Sequence, residues 1–283
     1  MNRQRAYSVR RLAEAHRPLL TAFLRRDVAN NQFLVDKVAA CGVSGSRIAF
    51  WGAFEEQRMA GVAMLLDTSA SAYTSEIDCL AGLVPFISGA ENLSGQLTVM
   101  NAVLALIPAA RLVWRQVDWL CWLPAEYFRS APQMGARPAT PEDLAGLSAL
   151  YAQSEAFSRR SATEVEDHVR RQLTSCQFFL VPTADHIASA AGVVAESADS
   201  AMIVSVFTAP EYRSRGMASA VVSAACASLL ARGRRPRLLY RAENDSAGRV
   251  YARLGFQKTG QWLLARLTPS DPSKVRPAPE ESD

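Results

Sequence analysis

The segment from Val204 to Leu267 restricts the fold more than any other part of the chain. It begins with Val204-Ser-Val-Phe-Thr208, a β-branched and aromatic run suited to a strand. A bare, basic turn follows, Arg213-Ser-Arg-Gly-Met-Ala218, opening an apolar, alanine-rich helix that runs to Ala231. A strand is expected over Arg237–Arg241, a short helix over Ser246–Leu254 and a last strand over Gly260–Leu267. Strands at Phe178–Pro182, Ile187–Glu196 and Ala201–Thr208 precede the turn, and helices precede those, beginning behind Thr140 and near Ala162. Helices, a strand meander, then strand-helix-strand-helix-strand imply an α/β or α+β domain around a mixed, mostly antiparallel sheet.

Two readings of the basic turn stand. It is an ordinary strand-to-helix connection with solvated arginines, or it is a seat for an anion. The first N–H groups of a helix have no intrahelical partner, and the helix dipole adds positive character there. Gly216 keeps the approach to that backbone open, and Ala218 and Ser219 keep it small, as a pyrophosphate would require. Neither G-x-x-x-x-G-K-[ST] nor G-x-G-x-x-G after a strand occurs in the chain. A second constellation lies downstream in Asn244-Asp-Ser-Ala-Gly-Arg-Val-Tyr-Ala-Arg-Leu-Gly-Phe256. Asn244 and Tyr251 are about two helical turns apart, and Gly255 stands where a helix would stop. By itself this is equally a capped amphipathic helix with a core tyrosine.

Taken together, the two constellations resemble the GNAT (Gcn5-related N-acetyltransferase) family over residues 136–267. The likeness rests on the strand end Val206-Phe-Thr-Ala-Pro210, on Arg213-x-x-Gly216-x-Ala218, and on Asn244 followed by Tyr251 and Leu-Gly-Phe256. The resemblance implies that acetyl-CoA, as acyl donor, lies between two splayed parallel strands. It implies that main-chain groups of Val206, Phe207 and Thr208 meet the pantetheine arm. Arg213, Ser214, Arg215, Gly216, Met217, Ala218 and Ser219 would form the pyrophosphate loop, and Asn244 would bind near the pantetheine. Tyr251 is the expected general acid for the leaving thiolate, since a phenol of pKa about 10 can supply a proton. Many relatives place a glutamate on a strand beside the cofactor as base. This chain has Met202 and Leu239–Arg241 there, so Glu196 is the candidate, with Asp199, Glu243, His168 and His186 as others. The run Arg232-Gly-Arg-Arg-Pro-Arg237 is either a contact for the 3′-phosphate of CoA or a solvated helix end.

The rest of the chain sets the frame. Two helices joined near Asp27, strands at 47–54, 60–66 and 82–88, a helix over 94–106 and strand character over 112–123 repeat the later order of elements, which points to a duplication. Leu24-Arg-Arg-Asp27 through Asn31-Gln-Phe-Leu34 resembles the N-terminal half of two-domain GNAT proteins, a half that has lost cofactor binding. Gly95 is its only candidate remnant of the loop, and Trp51 and Trp114 are either core or cleft lining. Ser130–Pro138 is broken by Pro and Gly, so the expected domains are residues 1–132 and 133–268, followed by a disordered tail over 269–283. A net charge of +4, spread along the chain, argues against nucleic acid as a partner, and no apolar run of membrane length occurs. Five scattered cysteines suggest reduced thiols in a cytoplasmic protein, with no metal site. The expectation is a cytoplasmic monomer or homodimer that transfers an acetyl group to a small-molecule primary amine. Acetylation of a protein, or acyl-CoA binding without turnover, are the alternatives.

Overall fold

A computed structural model describes residues 6–269, so the expected tail from residue 270 lies outside the described residues. The chain divides into two units, one running to Trp119 and resuming at Thr259, the other comprising Leu120–Lys258. In the first, β1 (Ser8–Arg11), α1 (Arg17–Leu24) and α2 (Val28–Cys41) precede a meander of β2 (Ile48–Glu55), β3 (Arg58–Leu66) and β4 (Ser69–Thr74). Then come α3 (Leu80–Ile87), β5 (Asn92–Gln96), α4 (Leu97–Ala105) and β6 (Leu112–Trp122), whose last residues enter the second unit. The second unit repeats the order with β7 (Arg137–Pro138), α5 (Leu144–Ala152), α6 (Ala162–Ser175), β8 (Gln177–Pro182), β9 (Ile187–Val194) and β10 (Ser200–Thr208). It continues through α7 (Met217–Ala231), β11 (Arg235–Arg241) and α8 (Asp245–Leu254) to β12 (Gln257–Leu267).

Each unit holds a mixed sheet with a single parallel step among its described pairings. In the first, β4 runs parallel to β5, and in the second β10 runs parallel to β11. The remaining described pairings, β1–β2–β3–β4, β7–β8–β9–β10 and β5–β12, are antiparallel. The mixed, mostly antiparallel sheet flanked by helices is therefore as expected.

Local chemistry explains most element ends. Asp27 caps α2 through the Asn30 N–H, and Ser161 with Glu164 forms a reciprocal capping box on α6. Before α5, the Asp143 carboxylate accepts from the Thr140 N–H at 2.8 Å and takes both prongs of Arg137. α7 is apolar nearly all round because it is buried nearly all round: Ala220, Val221, Val222, Ala225, Cys226 and Leu229 are inaccessible, and the helix packs on β8, β9 and β10. Trp51 proves to be core, stacked on Phe86 at 5.4 Å, whereas Trp114 is exposed on β6.

Three expectations change. Residues 82–87 belong to a helix: Leu80, Leu83, Val84 and Ile87 are buried at helical spacing, and Phe86 is buried beside them, within a run too apolar and short for its period to show. The helix expected over 94–106 is β5 followed by α4. β4 was not anticipated, because Ser69-Ala-Ser-Ala-Tyr-Thr74 has few strand-forming residues and is held by its neighbours on both sides. The division of the chain also differs from the expected boundary near residue 133. The breakers of 130–138 form a loop and the short strand β7 within the second unit, where the Ala131 N–H donates to Ser223 Oγ at 3.0 Å. The last strand leaves that unit, since Trp262–Arg266 of β12 pairs with Asn92–Gln96 of β5. No described helix is long and apolar enough to cross a membrane.

Gly255 ends α8 with φ 100°, and an added Cβ would stand 1.9 Å from the Tyr127 carbonyl oxygen. Gly255→Ala should therefore lower unfolding stability by about 3 kcal/mol, read from urea denaturation midpoints, since strain and clash with backbone add at one position.

Candidate functional site

The site begins where two parallel strands part. β10 and β11 are in register from Ser200↔Arg235 to Ile203↔Leu238 and no further, although the strands run on to Thr208 and Arg241. On its other edge β10 stays with β9 but slips between Val204 and Phe207, where Ser205 takes a left-handed φ of 52°. This is a β-bulge, which bends a strand and ends regular pairing. The Tyr151 phenol, from α5, donates to the Ser205 carbonyl at 2.6 Å and pins the bulge. Burial pushes the Tyr151 pKa well above the ordinary phenol value, so the group remains protonated and a donor. Beyond the bulge, one backbone edge of Val206–Thr208 faces the gap rather than a strand.

The basic turn lies at the end of β10. Ser214 has φ 60° and Gly216 φ 85°, both left-handed, and the Gly216 carbonyl then accepts the first α7 bond from the Ala220 N–H at 2.9 Å. A Cβ on Gly216 would meet nothing nearer than Met134 Sδ at 3.5 Å, so backbone conformation, more than space, demands glycine here. The N–H groups of Met217, Ala218 and Ser219 form the open first turn, at the positive end of a 15-residue helix. The arginine side chains are otherwise engaged. Arg213 Nε donates to the Thr208 carbonyl at 3.2 Å and its guanidinium lies over Phe207, clipping the turn to the strand. Arg215 lies over Tyr212 and does not line the cleft.

α8 supplies the facing wall. Asn244 caps it, its Oδ1 accepting from the Ala247 N–H at 3.0 Å, which leaves its amide N–H groups available to the cleft. Two turns on, Tyr251 is buried against Tyr240 and Phe256, with ring centroids at 5.4 and 5.8 Å. Its pKa is pushed up, first by burial and then by the neighbouring Cys121, Cys226 and Tyr240, so the phenol is held neutral. One cleft of about 680 Å³ brings together Val206, Phe207, Thr208, Arg213, Ser214, Gly216, Met217, Ala218, Ser219, Asn244 and Tyr251. The sequence reading missed Tyr151, which positions the bulge, and Arg249 and Arg253, which line the cleft from α8. The signal for the arginines was their spacing on the helix that carries Tyr251; for Tyr151 there was none.

Glu196 does not join them. Its carboxylate pairs with Arg232 at 3.2 Å and Arg234 at 3.7 Å, beyond the C-terminal end of α7, whereas the basic turn lies at the N-terminal end. A helix of 15 residues separates the two by about 22 Å. The basic run after α7 is thus a helix end with its own carboxylate, remote from the turn. His168 packs on Phe157 at 4.9 Å on α6, its pKa lowered by burial and by Arg160 and Arg171, and His186 sits in the β8–β9 turn; neither lines the cleft.

The first unit offers an internal contrast. Its parallel strands also part early, after Ala70↔Leu93, and a helix again follows the first of them. In place of arginine and glycine, the turn before α3 carries Glu76 and Asp78. Glu76 accepts from the Tyr7 phenol at 2.6 Å and pairs with Arg58. Carboxylates at a helix N-terminus stabilise the helix and repel a phosphate. Gly95 is no remnant of the loop; it pairs with Leu263 inside β5–β12.

Residues 183–264 match the family model described as FR47-like protein. A search of curated protein sequences gives no match. Solved structures share the fold at low identity. A GCN5-related N-acetyltransferase from Sphaerobacter thermophilus superposes with a TM-score of 0.62 at 16% identity, covering 94% of this chain and 98% of its own. A GNAT-family acetyltransferase from Colwellia psychrerythraea gives 0.58 at 13%, covering 92% and 100%. A tandem GNAT protein from the clavulanic acid biosynthesis pathway gives 0.54 at 15%, covering 94% and 100%. With two units of like element order, a parting of parallel strands and a glycine-headed α7, the chain shares its fold with these GNAT-family structures.

Proposed function

We propose that the second unit binds an acyl-CoA, acetyl-CoA in the simplest case, and transfers its acyl group to a primary amine of a small molecule by direct attack. The observation that carries this reading is one cleft in which the freed edge of β10, the left-handed turn at Gly216 and the Tyr251 phenol converge. The α7 N-terminus suits a pyrophosphate, through backbone N–H groups and the dipole. The unpaired edge at Val206–Thr208 suits an amide-bearing arm laid alongside it like a strand. In the first unit the corresponding turn is acidic, so that turn offers no second seat for a pyrophosphate.

The amine nitrogen attacks the thioester carbonyl, the carbonyl oxygen becomes an oxyanion, and its collapse breaks the carbon–sulfur bond to give the amide and a thiolate, which takes a proton through Tyr251 that water then replaces. Backbone donors on the freed edge stabilise the oxyanion. Tyr251, held neutral by burial, donates a hydrogen bond to the sulfur as charge develops there. No carboxylate or histidine lines the described cleft, so the amine loses its proton to water. That same absence favours a second reading, an acyl-CoA-binding regulator without turnover. Incubation with acetyl-CoA and a pool of amines separates the two: a product heavier by one acetyl group supports the enzyme, and CoA binding without any product supports the regulator.

Titration calorimetry with CoA should show binding abolished in Gly216→Glu, which places a carboxylate and a β-carbon at a left-handed position on the anion seat, and only weakened in Arg215→Ala. Tyr151→Phe should weaken CoA about tenfold while the protein stays folded, because one hydrogen bond holding the bulge is lost. Tyr251→Phe should lower kcat about 100-fold with little change in KM for the donor. Since its pKa is raised, Tyr251 keeps its proton as pH rises. Activity should therefore climb with pH towards the acceptor amine's own pKa, with no loss below about pH 10 from phenol ionisation, in wild type and variant alike.

A further inference from the structure

Three arginines line the cleft, and its described lining includes no carboxylate. Arg213 is accounted for by the Thr208 carbonyl and the Phe207 ring. Arg249 and Arg253 are not. Both are exposed on α8, both line the cleft, and neither makes an ion pair or hydrogen bond with a described residue. Four residues apart, they are neighbours on one helix face, where two unrelieved like charges disfavour each other. Arg253 stands in the last turn of α8, where it offsets the dipole; Arg249 is mid-helix and has no such role. Ser246 also lines the cleft, one turn before Arg249, and adds a hydroxyl donor. α8 packs against α7, so this group stands beside the anion seat and apart from it. The other basic run, Arg232–Arg237, lies at the far end of α7, with Arg232 and Arg234 paired to Glu196.

We propose that Arg249 and Arg253 bind the 3′-phosphate of the CoA ribose and so select acyl-CoA over thioester donors that lack it. This rests on the acyl-CoA reading above. A ribose phosphate monoester is close to a dianion at neutral pH, with a second pKa of about 6. It presents several acceptor oxygens, which two guanidinium forks and a hydroxyl match in charge and in hydrogen-bonding sense. The pyrophosphate is held by backbone and is common to CoA and dephospho-CoA, so the arginine pair is where the cleft can tell them apart.

Calorimetric titration of CoA and 3′-dephospho-CoA into wild type, Arg249→Ala, Arg253→Ala and the double variant tests this. Wild type should bind CoA about 30-fold more tightly than dephospho-CoA, each single variant should reduce that ratio, and the double variant should bring it close to one. Both positions are exposed, and circular dichroism is the check that the variants fold. Equal affinity of wild type for the two ligands, or a double variant that keeps the wild-type ratio, overturns the assignment while leaving the acyl-CoA reading intact. Failure of wild type to bind either ligand overturns the acyl-CoA reading itself, and this assignment with it.

Discussion

The hydrogen bond from Tyr151 to the Ser205 carbonyl is the constraint on which the second unit's architecture turns. β10 must pair with β11 for four residues and then let go, and a regular strand has no reason to let go. The bulge at Ser205 provides one, but a serine in left-handed conformation is strained unless something holds it. A buried phenol whose pKa is pushed up by that burial is a dependable holder. Because Tyr151 lies on α5, 54 residues earlier, the cleft depends on a helix that contributes nothing to its described lining. The packing of Tyr151 against Phe178 and Phe207 ties that helix to β8 and β10.

Charge is distributed with equal consistency. α7 points its positive end at the cleft, and the cleft's own side chains add only cations. Acidic groups are found at the opposite end of the helix, where Glu196 meets Arg232 and Arg234 at the negative pole. These exposed pairs add little stability, about 0–1 kcal/mol each. Their consequence is that Glu196 is held at the opposite end of α7 from the cleft.

The first unit has a similar order of elements with a different turn. Both units have a parallel pair that parts early and a helix that follows. What differs is the turn: Glu76 and Asp78 in one, Arg213 to Gly216 in the other. A change of sign at a helix N-terminus suffices to favour or refuse a phosphate, without altering the sheet.

The sequence by itself determined the order of elements in the second unit, the mixed sheet, and, of the cleft's lining, most of the turn together with Asn244 and Tyr251. These are local matters: a glycine at a left-handed N-cap, an asparagine cap and the periodicity of α8 all act within a few residues. The tertiary structure decided the rest. Leu80–Ile87 became a helix because which of its apolar residues are buried depends on what packs against them. Weak strand formers in β4 were recruited by pairing on both sides. β12 joined β5 because strand pairing is chosen by neighbours and not by chain proximity. Tyr151 found Ser205, and Glu196 found the wrong end of α7, for the same reason: hydrogen bonds and ion pairs between residues far apart in sequence exist only once the fold has set their distances.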